Sequence, residues 1–454
     1  MINSSVGASF RDPSGYVFEK KGVIYRNINP SYQDHYEYLI KSKLYKKLVD
    51  LKLLIPHLEV KNDSPSIYKT IRPKQIPFIS YPYEWCFSQL KAAALTTLKI
   101  QKIALEYGMI LKDASSFNIQ YLKGKPILID TLSFERYNKG QPWVAYRQFC
   151  MHFIAPLLLM KHKNVGLNRL LQIYMDGIPL DLASNLLPLK TWLQPKSLVH
   201  LHLHAKSQDY FKNREVSLKQ KTMNKLGLNG LIDNLQHLVK GINFKTNQNG
   251  WTNYYKDNNY TKRAFENKMK LVLEFTKQIN PKFVWDLGAN TGEFSHLVAK
   301  YANEVISLDS DPLSVEANYL ICQKENLTNC LPLTVDLTNP APNIGWENQE
   351  RMSFIKRGPA DLALALALLH HLAIANNIPF EKVAGLFSKI CKYLIIEFAP
   401  KEDSQVQRLL KNRRDIFDDY QMNNFEKIFS KYFLFKRKEK VKDSLRILYL
   451  MEKR

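Results

Sequence analysis

A glycine-rich turn between a buried strand and an amphipathic helix constrains this chain most strongly. Phe283–Trp285 is an apolar run typical of a buried parallel strand, and residues 286–292 read Asp-Leu-Gly-Ala-Asn-Thr-Gly, a tight turn. Apolar spacing from Glu293 to Tyr301 predicts a helix. The sequence therefore predicts half of a βαβ unit, with its turn at the carboxyl edge of a parallel sheet.

A second acidic residue ends the next predicted strand. This strand runs from Val305 to Leu308 and leads into Asp309, where a carboxylate can reach ribose hydroxyls. A dinucleotide site would use GxGxxG to bring backbone amides to a pyrophosphate, but this turn is D-x-G-x-N-x-G. Asp286 would repel a phosphate and attract an amino group. The pattern favours a nucleoside that carries a cationic amino-acid tail.

This stretch resembles motif I of the class I S-adenosylmethionine-dependent methyltransferases. In that family the glycine turn lies under the methionine moiety, and the acid after the second strand holds the ribose. The resemblance implies that S-adenosyl-L-methionine is the cofactor and that its binding residues include Asp286, Gly288, Asn290, Gly292 and Asp309. A Rossmann-like domain that binds no cofactor is the alternative.

Three further strands are predicted to end at the same sheet edge. The strand from Cys330 to Val335 leads to Asp336, where class I enzymes often bind the adenine amino group. The strand from Ala360 to Leu366 leads to a His-His pair, and the strand from Tyr393 to Phe398 contains Glu397. Residues 431–437 and 444–451 resemble the antiparallel pair that closes a seven-stranded methyltransferase sheet.

His370, His371 and Glu397 are the candidate catalytic residues. Methyl transfer from a sulfonium is an in-line displacement, so alignment and desolvation supply most of the catalysis. Either histidine could remove a proton from a hydroxyl or a protonated amine near neutral pH, or the pair packs beside the cofactor. Glu397 is a second candidate base or a substrate-orienting carboxylate. No Asn/Asp-Pro-Pro-Tyr/Phe turn follows the fourth strand, which leaves an oxygen or simple nitrogen acceptor.

The helix that precedes the glycine turn supplies two more candidates. It is predicted from Ala264 to Ile279, and in many class I methyltransferases the corresponding helix lies across the cofactor. An aromatic residue at this position could face the sulfonium cation. Tyr260 and Lys268 are therefore predicted to bind the cofactor, and packing of the helix against the sheet is the alternative.

The N-terminal part of the chain resembles a kinase-like fold. Asp113, Asn118 and Asp130 follow the spacing of the catalytic segment of protein kinases and aminoglycoside phosphotransferases, in which the first Asp accepts a hydroxyl proton and the other two hold magnesium. Arg26 stands where that family has Lys, and Thr131 follows the last acid instead of Phe. The motif is degenerate, and an Asp/Asn turn that caps its own backbone is the alternative.

No metal site is predicted. The five cysteines are an odd number without CxxC spacing, which indicates neither a disulfide framework nor a zinc ribbon and fits a cytoplasmic location. His200, His202 and His204 alternate with apolar residues, which predicts a strand with three imidazoles on one polar face. The start of the sequence lacks the apolar run of a signal peptide, and the run from Phe149 to Met160 is too short for a membrane span.

The overall prediction is an α/β protein with two domains. Residues 1–204 form an α+β, degenerate kinase-like domain, residues 205–262 a basic helical linker, and residues 263–454 a Rossmann-like methyltransferase domain. The net charge of +23 suits anionic partners, nucleic acid among them, but a small-molecule or glycan acceptor is favoured. A bifunctional kinase and methyltransferase, or an RNA methyltransferase that uses the linker, is the alternative.

One group of proteins shares features with nearly the whole chain. LKDASSFNIQ, DTLSFE, PWVAYRQF, WDLGANTGEFS, LALLHHL and EFAPKED resemble segments of bacterial two-part methyltransferases, some of which are associated by name with nodulation host specificity. This resemblance implies a methyltransferase with a bound cofactor, and it does not identify the acceptor.

Overall fold

The fold is taken from a computed structural model that describes residues 4–5, 7–61, 64–206, 222–244, 260–411 and 414–454. The chain divides into two compact units. Unit 1 comprises residues 1–245 and 343–352, and unit 2 comprises residues 246–342 and 353–454. None of the described helices combines the length and apolar character that a membrane crossing demands.

Unit 1 begins with a five-stranded antiparallel sheet in the order β1-β2-β3-β5-β4. Two antiparallel pairs, β6 with β9 and β7 with β8, follow. The strands are β1 (Ser4–Ser5), β2 (Val17–Lys20), β3 (Val23–Ile28), β4 (His57–Val60), β5 (Lys69–Pro73), β6 (Met109–Leu111), β7 (Ile119–Leu122), β8 (Lys125–Leu128) and β9 (Phe134–Arg136).

One long helix of unit 1 has apolar residues at helical spacing, and these residues are buried. Phe87–Glu106 buries Leu90, Ala94, Leu98 and Leu105 along its length. The remaining α-helices are Gln33–Lys41, Leu44–Asp50, Tyr146–Phe149, Ala155–His162, Leu170–Ile173, Leu180–Leu186, Pro195–Ser197 and Lys225–Gly241, with wide helical turns at Cys150–Ile154 and Leu198–Leu203.

The predicted histidine strand in unit 1 is wrong, because residues 198–203 are helical. His200 contacts Tyr146 and Asn234 at 2.8 and 2.9 Å, and His202 contacts Ser184 and Thr191 at 2.7 and 2.9 Å. Helical geometry turns the imidazoles towards different partners, so the alternation of histidine with apolar residues does not indicate a strand here.

Part of the predicted linker is a packed helix. Lys225–Gly241 buries Leu228, Ile232, Leu235 and Val239 within unit 1, because its apolar residues recur at helical spacing. Residues 207–221 and 245–259 of the predicted linker lie outside the described residues.

Unit 2 contains a seven-stranded sheet in the order β12-β11-β10-β13-β14-β16-β15. The five strands β10 to β14 are parallel, and β16 pairs antiparallel with both β14 and β15. The strands are β10 (Phe283–Leu287), β11 (Glu304–Asp309), β12 (Cys330–Thr334), β13 (Ala360–Ala365), β14 (Cys391–Phe398), β15 (Phe433–Lys440) and β16 (Ile447–Lys453). This sheet confirms the predicted α/β architecture of the C-terminal half.

The core of unit 2 explains why its strands read as continuous apolar runs. β10 and β13 are buried along nearly their whole length, as expected for parallel strands covered on both faces. Val284, Leu362, Leu364 and Ile395 belong to one apolar cluster with Phe275. The α-helices of the unit are Lys262–Ile279, Glu293–Ala299, Pro312–Glu325, Phe380–Ile390, Ser404–Leu410 and Met422–Phe429, with a wide helical turn at His371–Ala375.

The order of parallel strands fixes where polar side chains can gather. β10 lies between β11 and β13, so the chain crosses over at this strand and leaves a crevice at the carboxyl edge. Thr261 caps the N-terminus of the helix Lys262–Ile279, because its side chain accepts a hydrogen bond from the Ala264 N–H at 3.1 Å. This cap starts the helix just after Tyr260.

Candidate functional site

The glycine turn after β10 depends on backbone conformations that favour glycine. Gly288 and Gly292 have φ of +72° and +91°. A Cβ on Gly288 would lie 3.2 Å from Leu368 Cδ1, and a Cβ on Gly292 would lie 2.5 Å from Asn318 Oδ1. The N–H groups of Gly288 and Ala289 donate to the Leu308 carbonyl at 2.8 and 2.9 Å, which ties the turn to β11.

Two carboxylates stand at the ends of β10 and β11. Asp286 is 2% exposed, accepts a hydrogen bond from Ser295 Oγ at 2.6 Å, and has a pKa that burial raises to about 6. Asp309 accepts the Asn290 N–H at 2.7 Å and the Asp311 N–H at 2.9 Å. Burial also raises the pKa of Asp309, and the hydrogen bonds oppose that rise.

A cavity of about 870 Å³ opens over this edge of the sheet. Its volume lies within the range of small-molecule sites. Nine of the residues predicted from the sequence line it, namely Tyr260, Lys268, Asp286, Gly288, Asn290, Asp309, Asp336, His370 and His371. Gly292 and Glu397 are not among the lining residues. The structure thus brings predicted residues from five segments of unit 2 to one cavity.

A buried ion-pair network forms part of one wall of this cavity, which Lys268 and Arg446 line. Lys268 Nζ lies 2.8 Å from Glu397 Oε2, and Arg446 binds Asp403 through two nitrogens at 2.7 and 2.9 Å. The Tyr260 hydroxyl donates to Glu397 and accepts from Arg446 Nη1 at 3.0 Å. The four charged residues are between 0% and 3% exposed, so the network is a paired set of desolvated charges.

Glu397 is fixed by this network. Burial alone would raise its pKa, but the charges of Lys268 and Arg446 hold the pKa at about 2. Its Oε1 accepts from Tyr260, and its Oε2 accepts from Lys268 and from the Ala367 N–H at 2.6 Å. Such a carboxylate is a poor proton acceptor near neutral pH, so its surroundings do not favour the predicted base at this position.

Tyr260 and Lys268 have partners of their own. The Lys268 ammonium and the Arg446 guanidinium each lie 4.8 Å from the centre of the Tyr260 ring. The Lys268 ammonium also lies 4.9 Å from the Phe294 ring. The ring predicted to face a sulfonium is therefore already close to two cations of the protein, and it contributes to the cavity wall.

The two adjacent histidines differ in their surroundings. His370 is 1% exposed, and burial followed by the charges of His371 and Arg446 lowers its pKa to about 3. Its Nδ1 finds no hydrogen-bond partner among the described residues. His371 is exposed, and partial desolvation together with Arg446 lowers its pKa. His370 is therefore neutral at physiological pH.

Sequence reasoning missed several residues of the site. Arg446 lies on the approach to β16, far along the chain from Glu397, and Asp403 caps the helix Ser404–Leu410 by accepting the Gln405 N–H at 3.0 Å. The remaining lining residues that were not predicted include Glu293, Phe294, Asn376, Gln405 and Arg408. A helix-cap pattern at Asp403 was the one local signal, and it indicates a cap and not a partner for Arg446.

The Asp/Asn segment of unit 1 has a different environment. Asp130 accepts the Leu132 N–H at 2.9 Å and the Ser133 hydroxyl at 2.7 Å, as a capping residue does. Arg26 Nη1 lies 2.9 Å from Asp130 Oδ1, and Arg26 also pairs with Asp12. The Asp113 carboxyl accepts the Ser115 N–H at 2.9 Å, and burial raises its pKa. A guanidinium thus already neutralises one predicted magnesium ligand.

The chain is similar along its length to one curated protein. It is 34% identical over 459 aligned residues to the nodulation protein NoeA of Rhizobium meliloti (strain 1021), and the alignment covers 99% of this chain and 96% of the relative. No protein-family model matches the chain.

Solved structures give weaker similarities. The N-methyltransferase NodS from Bradyrhizobium japonicum WM9 is 11% identical with a TM-score of 0.31, covering 42% of this chain and 97% of NodS. The magnesium protoporphyrin IX methyltransferase ChlM from Synechocystis PCC 6803 with bound SAM is 18% identical with a TM-score of 0.31, covering 45% of this chain and 92% of ChlM. WbdD, in complex with a kinase inhibitor, is 16% identical with a TM-score of 0.30, covering 41% of this chain and 40% of WbdD.

Proposed function

The chain belongs to the family of the nodulation protein NoeA, and we propose that it is an S-adenosylmethionine-dependent methyltransferase. The observation that carries this proposal is the arrangement of residues at the carboxyl ends of β10 and β11. Asp286 under a positive-φ glycine turn and Asp309 at the end of the adjacent strand line the same cavity. An acid in place of a phosphate cradle suits an adenosyl group with a cationic amino-acid tail.

The residues of the cavity fit S-adenosylmethionine in size and chemistry. The bare Gly288 leaves room that a Cβ would take, and close approach of a ligand to the backbone requires such room. Asp309 and Asp336 line the cavity, and we assign Asp309 to the ribose hydroxyls and Asp336 to the adenine amino group. Asp286 attracts the α-amino group, and its charge is present above a pH of about 6.

Catalysis would depend on alignment and on one proton acceptor. The bound cofactor supplies an electrophilic methyl group, which a lone pair of the acceptor oxygen or nitrogen displaces from sulfur. We assign the proton acceptor to His371, because the pKa of His370 is too low for that role. His370 is neutral, and its Nδ1 has no hydrogen-bond partner among the described residues, so it would orient the methyl acceptor by a hydrogen bond.

Glu397 is assigned a positioning role. It holds the Ala367 N–H at the end of β13, immediately before the segment that carries both histidines. Ala367 has φ of +52°, a conformation that is uncommon for a residue with a side chain. The carboxylate therefore stabilises the backbone from which His370 and His371 project.

The first experiment measures cofactor binding. Isothermal titration with S-adenosylhomocysteine should give tight binding by the wild-type chain and by Asp130→Ala, and no measurable binding by Asp286→Ala. Equal binding by the two variants would remove the basis of the proposal. Transfer of labelled methyl groups into fractionated lysate, sorted into small molecules, glycans, protein and RNA, then identifies the acceptor class. A small molecule or glycan is expected.

We also propose that unit 1 has a kinase-like fold. A five-stranded antiparallel sheet, the Asp113 loop after β6, the β7–β8 hairpin and Asp130 after β8 support this proposal. Phosphotransfer is not favoured, because Arg26 pairs with Asp130. Titration of the wild-type chain with Mg²⁺ and ATP should show no ATP hydrolysis. Hydrolysis that Asp130→Ala abolishes would restore the bifunctional alternative.

A further inference from the structure

Three metal-ligating side chains converge in unit 2, away from the carboxyl edge of the sheet. They are His296 on the helix Glu293–Ala299, Cys322 on the helix Pro312–Glu325 and Cys330 on β12. One ligand atom of each lies within 4.8 Å of the other two. Among the described residues, this is the one group of three His, Cys, Asp or Glu side chains that meets this criterion.

The spacing of these atoms matches that of ligands around a small cation. Cys322 Sγ lies 3.5 Å from His296 Nε2. Zinc bonds of about 2.3 Å to sulfur and about 2.1 Å to nitrogen, at a tetrahedral angle, place two such ligand atoms about 3.6 Å apart. Zinc would therefore fit between these two atoms with little movement of either side chain.

The ligand types and their burial also suit a soft cation. The two cysteines are 2–3% exposed. Sulfur and imidazole ligands bind zinc in preference to magnesium or calcium. His296 is only half-buried, which leaves a path for an ion from solvent.

Asn318, on the same helix as Cys322, offers an oxygen atom as a fourth metal ligand. Its Oδ1 lies 2.8 Å from His296 Nε2 and 3.4 Å from Cys322 Sγ. The other end of this amide donates to Ser307 Oγ at 2.6 Å, which fixes its orientation. An amide oxygen held in this way, or a water molecule, would complete a four-coordinate site.

We propose that His296, Cys322, Cys330 and the Asn318 carbonyl bind a thiophilic divalent cation, with zinc as the expected ion. The ion would link two helices to β12. The site is separate from the proposed methyl-transfer site, because neither its histidine nor its two cysteines line the cofactor cavity. It is linked to that cavity by a relay of hydrogen bonds from Asn318 through Ser307 and Ser295 to Asp286.

The test uses the full-length chain, reduced with a phosphine that does not bind metal tightly. Titration with Co²⁺ should produce thiolate-to-cobalt charge-transfer absorption that saturates at one ion per chain, and Zn²⁺ should displace the cobalt. Cys322→Ser and His296→Gln should each weaken binding by at least about 100-fold, since both remove a direct ligand. Cys391→Ser is the matched control, because Cys391 is a fully buried cysteine of the same unit that lies outside the cluster.

A second measurement guards against misfolded variants. Zinc at about 100 times its Kd should raise the Tm of the wild-type unfolding transition by roughly 5–10 °C, and a chelator should reverse the shift. The proposal is overturned if the reduced wild-type chain binds neither Co²⁺ nor Zn²⁺. It is overturned equally if Cys322→Ser binds as tightly as Cys391→Ser. A Cys322–Cys330 disulfide in a chain that takes up no metal after reduction would identify a redox pair instead.

Discussion

Both units hold acidic residues at or just after the ends of strands, but they pair those acids differently. In unit 2 the cations Lys268 and Arg446, which line the cavity, bind Glu397 and Asp403. Within the described parts of the chain, Asp286 and Asp309 accept hydrogen bonds from neutral groups, so their charge remains for a ligand. In unit 1 the cation Arg26 binds Asp130 itself. The partner of an acid therefore decides whether it can serve a ligand.

The largest effect is expected from removal of the buried carboxylate in unit 2. Glu397→Ala leaves Lys268 and Arg446 without a partner, and breaking a buried pair in this way costs about 3–5 kcal/mol. Urea unfolding should show this loss in the transition of unit 2. Glu452→Ala, which removes a surface partner of Lys436 on the same sheet, is the control and should change stability little. Similar losses for both variants would show that burial of the network does not matter.

The next effect concerns the glycine turn. Gly288→Arg places a side chain against Leu368 at a φ of +72°, and S-adenosylhomocysteine affinity should fall by at least about 100-fold, or about 2.7 kcal/mol. Calorimetry of the purified variant measures this loss. Gly230→Arg, at an open position on a helix of unit 1, should bind like the wild type. Retained binding by Gly288→Arg would contradict the placement of the cofactor over this turn.

A smaller effect is expected from pH. Burial raises the pKa of Asp286 to about 6, so its carboxylate charge is present above that pH and is lost below it. If the charged form binds the amino group, S-adenosylhomocysteine affinity should fall about tenfold between about pH 7 and about pH 5. Asp286→Asn should bind weakly at both pH values, with a flatter profile. An unchanged profile in the wild type would exclude Asp286 as the titrating group.

The smallest effect tests unit 1. Arg26→Gln removes the guanidinium from Asp12 and Asp130, which are partly exposed, and Asp12 keeps Lys112 at 3.8 Å, so stability should fall by only about 1 kcal/mol. Thermal unfolding measures that change. The variant should retain S-adenosylhomocysteine binding, because the cavity lies wholly within unit 2. A loss as large as that of Glu397→Ala would end the contrast between the two networks.

Much of unit 2 was predictable because its signals are local. Apolar runs of strand length, a glycine turn and an acid after each strand predicted β10 to β14 within a few residues of their observed ends. Apart from Glu397, the residues predicted at strand ends also line one cavity, because parallel strands place their carboxyl ends at one edge. Periodicity failed at residues 198–203, where alternation of His with apolar residues occurs in a helical turn.

The sequence by itself determined the α/β alternation of the C-terminal half and the acid–glycine–acid pattern that indicates a nucleoside-binding edge, because both depend on neighbouring residues and on strand polarity. Tertiary structure decided which charges are paired. Arg446 reaches Glu397 and Asp403, Arg26 reaches Asp130, and Cys322 meets His296 and Cys330, all across loops and helices. Burial then sets how each pair ionises, and burial is a property of the packed chain.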